Sequence, residues 1–144
     1  MKLIKRKSSA RWYYKANGKP EILMNDRTLL KHATYSCRLP IPDRIATSAA
    51  ELVAAAHALC FSMALTKQLS DAKTTRGRVH TTATVTLENW ISGWTVTNIH
   101  LDISARLPQI TQCDFIDATV RAKTSCFVSR IMKPNISMTA KLQR

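Results

Sequence analysis

Residues 52 to 65 read Leu-Val-Ala-Ala-Ala-His-Ala-Leu-Cys-Phe-Ser-Met-Ala-Leu, apolar on nearly every side and free of Gly and Pro. Ala and Leu are strong helix formers, so the wider stretch from Thr47 to Ser70 predicts one long helix. A helix that is apolar nearly all round has to be buried nearly all round. Ser48 and Glu51 form a Ser-x-x-Glu capping box at its start. Its end is expected near Ser70 and Asp71.

The rest of the chain carries the two-residue period of strands. Residues 8–16 predict an aromatic-centred strand, Asn17-Gly18 a hairpin turn, and residues 21–24 the returning strand. Residues 32–39 alternate as a third strand, ended by Pro40 and Pro42. Residues 78–87 are rich in Thr and Val and alternate in polarity, the signature of a half-buried strand. After a turn at 89–93, residues 94–107 form a second long strand, in which Val96, Asn98, His100, Asp102 and Ser104 share a face. Its apolar residues call for a bulge or for burial on both sides. Residues 111–125 show helical spacing through Phe115, Ile116, Thr119, Val120 and Lys123. A short helical turn at 126–132 and a last strand at 135–142 follow. The order of strands, helix, strands, helix, strand describes an α+β fold with a mostly antiparallel sheet. One domain covers residues 1–144. The long helix has too little polar face for a monomer of this size, so an obligate homodimer is expected.

Composition narrows this picture. With 144 residues and 45% hydrophobic content the chain suits a single core. The central apolar run of 14 residues is shorter than the roughly 18 needed to span a bilayer. The basic N-terminal residues have no apolar stretch behind them. A cytoplasmic location away from membranes is therefore expected. Lys and Arg exceed Asp and Glu by 13 charges. Apart from one cluster at Lys2, Lys5, Arg6 and Lys7 they are dispersed, and no nucleic-acid-binding motif accompanies them. The charge implies non-specific attraction to polyanions and no more.

Four cysteines stand at 37, 60, 113 and 126, and no two have the spacing of a zinc knuckle or a Cys-x-x-Cys redox motif. In the cytoplasm they stay reduced, and each alone is compatible with a small core hydrophobe. Cys60 lies one helical turn after His57, close enough for the imidazole to influence its ionisation. Burial raises a thiol pKa, so a reactive Cys60 needs a cation from another segment. Arg38, at the end of a predicted strand, is the best placed. Cys126 begins a helical turn, where free N–H groups favour an anion. Two such thiols suit a pair in which one is oxidised to a sulfenic acid and the other condenses with it. On composition alone, buried inert packing is the preferred reading. His57 fits a packing or hydrogen-bonding role, and a Cys-His hydrolase or a metal site would require partners that no motif marks.

The segment Glu51-Leu-Val-Ala-Ala-Ala-His-Ala-Leu-Cys-Phe-Ser-Met-Ala-Leu65, with Ser125-Cys126-Phe-Val-Ser-Arg-Ile-Met132 further on, resembles the OsmC/Ohr family of osmotically inducible and organic hydroperoxide resistance proteins, the OsmC branch most closely. The similarity extends from about Tyr35 to the C-terminus. The resemblance implies an intertwined homodimer of α+β subunits, mostly antiparallel sheets around a long buried helix, with active sites at the subunit interface. It implies a peroxidase that reduces organic hydroperoxides and is restored by a thiol or dithiol reductant, with no metal or organic cofactor. By the match, Cys60 is peroxidatic, Cys126 resolving, and Arg38 the residue that steadies the thiolate and orients the peroxide. Two positions depart from the pattern. Ala50 stands where the family has a Glu that holds the arginine. Glu51, one residue later, lies nine residues from Cys60, about 13 Å along a helix, so it acts only through Arg38 or across a dimer. Phe127 replaces a Pro after the resolving cysteine. A site altered at these positions would also suit a protein that binds a small apolar ligand without turnover.

Overall fold

The computed structural model describes residues 3–14, 20–24, 49–71, 76–132 and 135–143. The predicted strand at 32–39, with Cys37 and Arg38, the Asn17-Gly18 turn and the Ser48 cap lie outside these residues. The described elements are β1 (Leu3–Tyr14), β2 (Pro20–Met24), α1 (Ala49–Asp71), β3 (Arg78–Trp90), β4 (Gly93–Arg106), α2 (Gln112–Ser125), α3 (Phe127–Ile131) and β5 (Asn135–Gln143). Strand β1 starts at Leu3, earlier than the aromatic pattern suggests, because Ala10 and Trp12 continue a two-residue period back through buried Ser8.

The strands make one sheet in the order β2-β1-β3-β4-β5. Its first three pairings are antiparallel and β4–β5 is parallel. Alternation sets its two faces. Val79, Thr81, Ala83 and Val85 of β3 are fully buried, in register with buried Ala105, Ile103, Leu101 and Ile99 of β4. The register slips between Thr86 and Leu87, which pair with Asn98 and Val96, so Thr97 is skipped. This bulge reverses the parity of β4. It lets Trp94 and Val96 pack against the same core as Ile99, Leu101 and Ile103, which is how an apolar pattern of mixed phase serves one buried face.

Helix α1 lies on that face. Ala54, Ala58, Phe61, Leu65 and Leu69, spaced three or four apart, are fully buried, and the alanines allow close approach to β1 and β3. Over Ala49–Ser70 its mean hydropathy of 1.5 matches a membrane span by length and composition, yet half of the stretch is buried inside this fold. Its far side is less covered, with Met63 56% exposed. Joining β4 to a parallel β5 needs a crossover of a dozen or more residues. Helices α2 and α3 are that crossover. Thr111 caps α2 by accepting from the Asp114 N–H at 3.1 Å. Phe115, Ala118, Thr119 and Ala122 form its buried face. Arg121 Nε donates to Gln68 Oε1 of α1 at 3.0 Å, and Lys123 Nζ to the Ile136 carbonyl of β5 at 2.7 Å. The crossover is thus held at both sides, and it carries Cys126 over the middle of α1.

Candidate functional site

Cys60 and Cys126, 66 residues apart, meet here. Their sulfurs are 2.9 Å apart, and both side chains are buried, at 6% and 1% exposure. Both thiols are free. Cys60 sits on the side of α1 next to its sheet-facing stripe. Cys126 occupies the single non-helical position between α2 and α3, with φ −64° and ψ 117°. This break turns the first N–H groups of α3, which have no intrahelical acceptor, toward the sulfurs.

His57, fully buried, bridges the same elements. Its Nε2 lies 2.8 Å from Ser129 Oγ, one turn into α3. The sequence pairs His57 with Cys60, three residues on. In the fold its ring reaches Ser129, three residues after Cys126, and its effect falls on the Cys126 thiol rather than on Cys60.

The two thiols are driven apart in acidity. Burial and the neighbouring Cys126 push Cys60 from 9.0 up to about 11, against hydrogen bonds from the Val128 and Phe127 N–H groups. Burial also raises Cys126, but hydrogen bonds from His57, from Cys60 and from the N–H and hydroxyl of Ser129 outweigh it and bring Cys126 down to about 7. The first proton therefore leaves Cys126, and Cys60 S–H becomes a donor to the new thiolate. A pair in contact, one member ionised near neutral pH, can close to a disulfide with little movement once the other carries a leaving group.

Phe127 acquires a meaning here that its residue type did not suggest. It is the first residue of α3, its ring is 64% exposed, and its N–H points at Cys60. A proline at this position has no N–H to offer. The other described residues lie on separate parts of the fold. Glu51 is half-buried in the first turn of α1 and Ala50 is 6% exposed. Arg38 lies outside the described residues. Cys113 is exposed on α2, Trp12 is core, Trp94 packs on the core, and Trp90 is half exposed at the β3–β4 hairpin. Ser129 was not among the sequence candidates. Its only signal is its position three residues after Cys126, one turn of a helix that begins there.

The chain has relatives among known proteins. Residues 42–141 match the model of the OsmC-like protein family. The chain is 30% identical over 140 residues to Peroxiredoxin OsmC of Escherichia coli (strain K12), covering 97% of this chain and 98% of that protein, and is similar to the Shigella flexneri protein of the same name to the same extent. Among solved structures, an OsmC-like protein from Vibrio cholerae superposes with a TM-score of 0.61 at 15% identity, over 98% of this chain and 99% of that one. An organic hydroperoxide resistance protein from Elizabethkingia anophelis does so with a TM-score of 0.57 at 18% identity, over 100% and 96%. At these identities the structural matches speak for the fold.

Proposed function

From the premise that the chain belongs to the OsmC-like protein family, we propose that it is a thiol peroxidase that reduces organic hydroperoxides through a Cys60 sulfenic acid and a Cys60–Cys126 disulfide. The observation that carries the reading is the contact of two free, buried sulfurs at 2.9 Å. The Cys60 thiolate attacks the distal peroxide oxygen. The O–O bond breaks, the alkoxide leaves and takes a proton to become the alcohol, and Cys60 holds a sulfenic acid. The Cys126 thiolate then attacks that sulfur, hydroxide departs and is protonated to water, and the disulfide forms. A dithiol or thiol reductant supplies two electrons and two protons to restore the pair.

The attacking thiolate on Cys60 needs more stabilisation than two N–H groups provide. Arg38 is assigned to it by its match to the family's arginine, with Glu51 as the carboxylate that steadies Arg38 in place of the one missing at Ala50. Two subunits assemble as a homodimer in this reading. Supporting it, the helical layer leaves Met63, Val120, Phe127 and Ile131 more than half exposed, apolar area that a partner would remove from water. A cytoplasmic location belongs to the same reading, since that compartment would return the pair to thiols between turnovers.

The test is a thiol count after reduced protein meets cumene hydroperoxide. Wild type is expected to lose two thiols rapidly. Cys126→Ser loses Cys60 alone and accumulates a dimedone-reactive sulfenic acid, and Cys60→Ser keeps its Cys126 thiol. No loss by wild type within minutes would overturn the proposal and leave the same fold as a binding protein for a small apolar ligand.

A further inference from the structure

The thiol pair leaves the basic charge of the chain without a role, and the other face of the sheet gathers part of it. Strand register places Arg11, His80, Ser104 and Lys141 in one row across β1, β3, β4 and β5. The next row runs from Glu21 of β2 through Tyr13, Arg78, Arg106 and Gln143. The neighbours Trp12, Val79 and Ala105 are buried on the helix side, so alternation points both rows away from it. Arg78 and Arg106 are direct cross-strand partners, an arrangement of like charges that costs stability unless something neutralises it. None of Arg11, Arg78, Arg106 and Lys141 has an ion-pair partner among the described residues. The nearest acid of β4 on this face, Asp102, stands one row away and 3.4 Å from His100 Nε2.

The surface there is concave. Arg11, Arg78, His80, Ser104, Arg106 and Gln143 line a cavity of about 210 Å³. His80 registers its surroundings: burial and the Arg11 charge both hold its imidazole below the ordinary value, while its Nε2 lies 3.2 Å from Thr82 Oγ1. Guanidinium groups bind oxyanions bidentately. Side chains two residues apart on a strand are separated by about 6.8 Å, a spacing that lets adjacent rows hold adjacent phosphoryl groups. The geometry points to a binding site for a diphosphate-type anion at this end of the outer sheet face, separated from the thiol pair by the sheet itself.

Isothermal titration of the reduced protein with inorganic pyrophosphate at low ionic strength tests this, beside imidazole NMR of His80. Wild type is expected to bind one pyrophosphate per chain, saturably, and binding raises the His80 pKa because the anion favours imidazolium. Arg78→Gln with Arg106→Gln is expected to weaken binding about tenfold or more. Lys5→Gln with Lys7→Gln removes the same charge from β1 outside the cavity and leaves affinity within about threefold. Circular dichroism checks that both doubles fold. Non-saturable binding, equal weakening in the two doubles, or an unmoved His80 would overturn the site. A strongly salt-dependent affinity for duplex DNA that falls equally in both doubles would do the same, identifying diffuse charge attraction.

Discussion

Replacing His57 with leucine removes the largest of the hydrogen bonds that favour the Cys126 thiolate while keeping a buried apolar side chain of similar size. With its pKa at about 7, Cys126 is roughly half ionised at pH 7, where a thiol titrating at its ordinary value of 9.0 would be about 1% ionised, a ratio on the order of 50. His57 shares the lowering with Cys60 and Ser129, so its loss is expected to raise the titration by about one unit and cut the thiolate at pH 7 about fivefold. Thiolate absorbance at 240 nm, read as wild type minus Cys126→Ser across pH, measures the midpoint without a reagent having to reach a buried sulfur. Rapid mixing with one equivalent of hydroperoxide gives the kinetic counterpart. Disulfide closure should slow about fivefold in His57→Leu, while sulfenic acid formation on Cys60 does not slow, because less charge on Cys126 opposes its ionisation. His57→Gln, whose amide can donate, should recover part of the loss. A wild-type midpoint near 9, or a His57→Leu midpoint equal to wild type, would refute the assignment of His57 to Cys126.

Phe127→Pro suits the backbone, since Cys126 at φ −64° and ψ 117° already has the extended conformation that precedes proline and the first helical position tolerates it. It deletes an N–H that Cys60 uses, so thermal stability should hold while the Cys60 midpoint rises and sulfenic acid formation at fixed pH slows; an unchanged rate would contradict the role of that amide. The stability of the reduced protein should climb from pH 7 to 9, because the unfolded chain binds the Cys126 proton up to about 9.0 and the folded one only to about 7. It should fall again between pH 9 and 11, where unfolded Cys60 ionises and folded Cys60 stays protonated to about 11. The disulfide form should show neither limb in denaturant titrations. Gly93 at φ +110° has open space around it, whereas a Cβ on Gly77 at φ +127° would run into the Arg106 carbonyl and lie 2.6 Å from Leu107 Cδ2. Gly93→Ala is expected to cost about 1–3 kcal/mol in equilibrium unfolding and Gly77→Ala clearly more; equal costs would mean that only the dihedral matters.

Much of the fold is legible in the chain because single elements announce themselves. The alternation of Thr and Val between Arg78 and Leu87 needs no partner to be read as a strand, and the Ala-Leu run around Cys60 needs none to be read as a buried helix. The β4 bulge is half legible: the mixed phase of its apolar residues calls for a bulge or for burial on both sides, and the choice, with its place at Thr97, follows from the partner strand. The parallel pairing of β5 is not legible at all, since it depends on where the crossover returns. That pairing is also what brings Cys126 to Cys60. The meeting of the thiols follows from the family resemblance at the level of sequence, and from α2, its cap and its anchors to Gln68 and Ile136 at the level of structure.

The order of acidity was the least legible feature, and it changes how the pair works. Sequence proximity assigns His57 to Cys60, and that would make Cys60 the easier thiol to ionise. Tertiary structure sets the imidazole against Ser129 at 2.8 Å, and with the Ser129 N–H it stabilises the other sulfur. In the proposed cycle the described surroundings would favour the second step, disulfide closure, and the first step would need a charge from elsewhere in the chain. A buried negative charge already on Cys126 also disfavours a second one on Cys60, 2.9 Å away. A cation that serves Cys60 must therefore outweigh both burial and that neighbour. If Arg38 is that cation, Arg38→Gln should abolish sulfenic acid formation on Cys60 at neutral pH yet leave the Cys126 midpoint near 7. Loss of both together would mean that one charge sustains the whole pair.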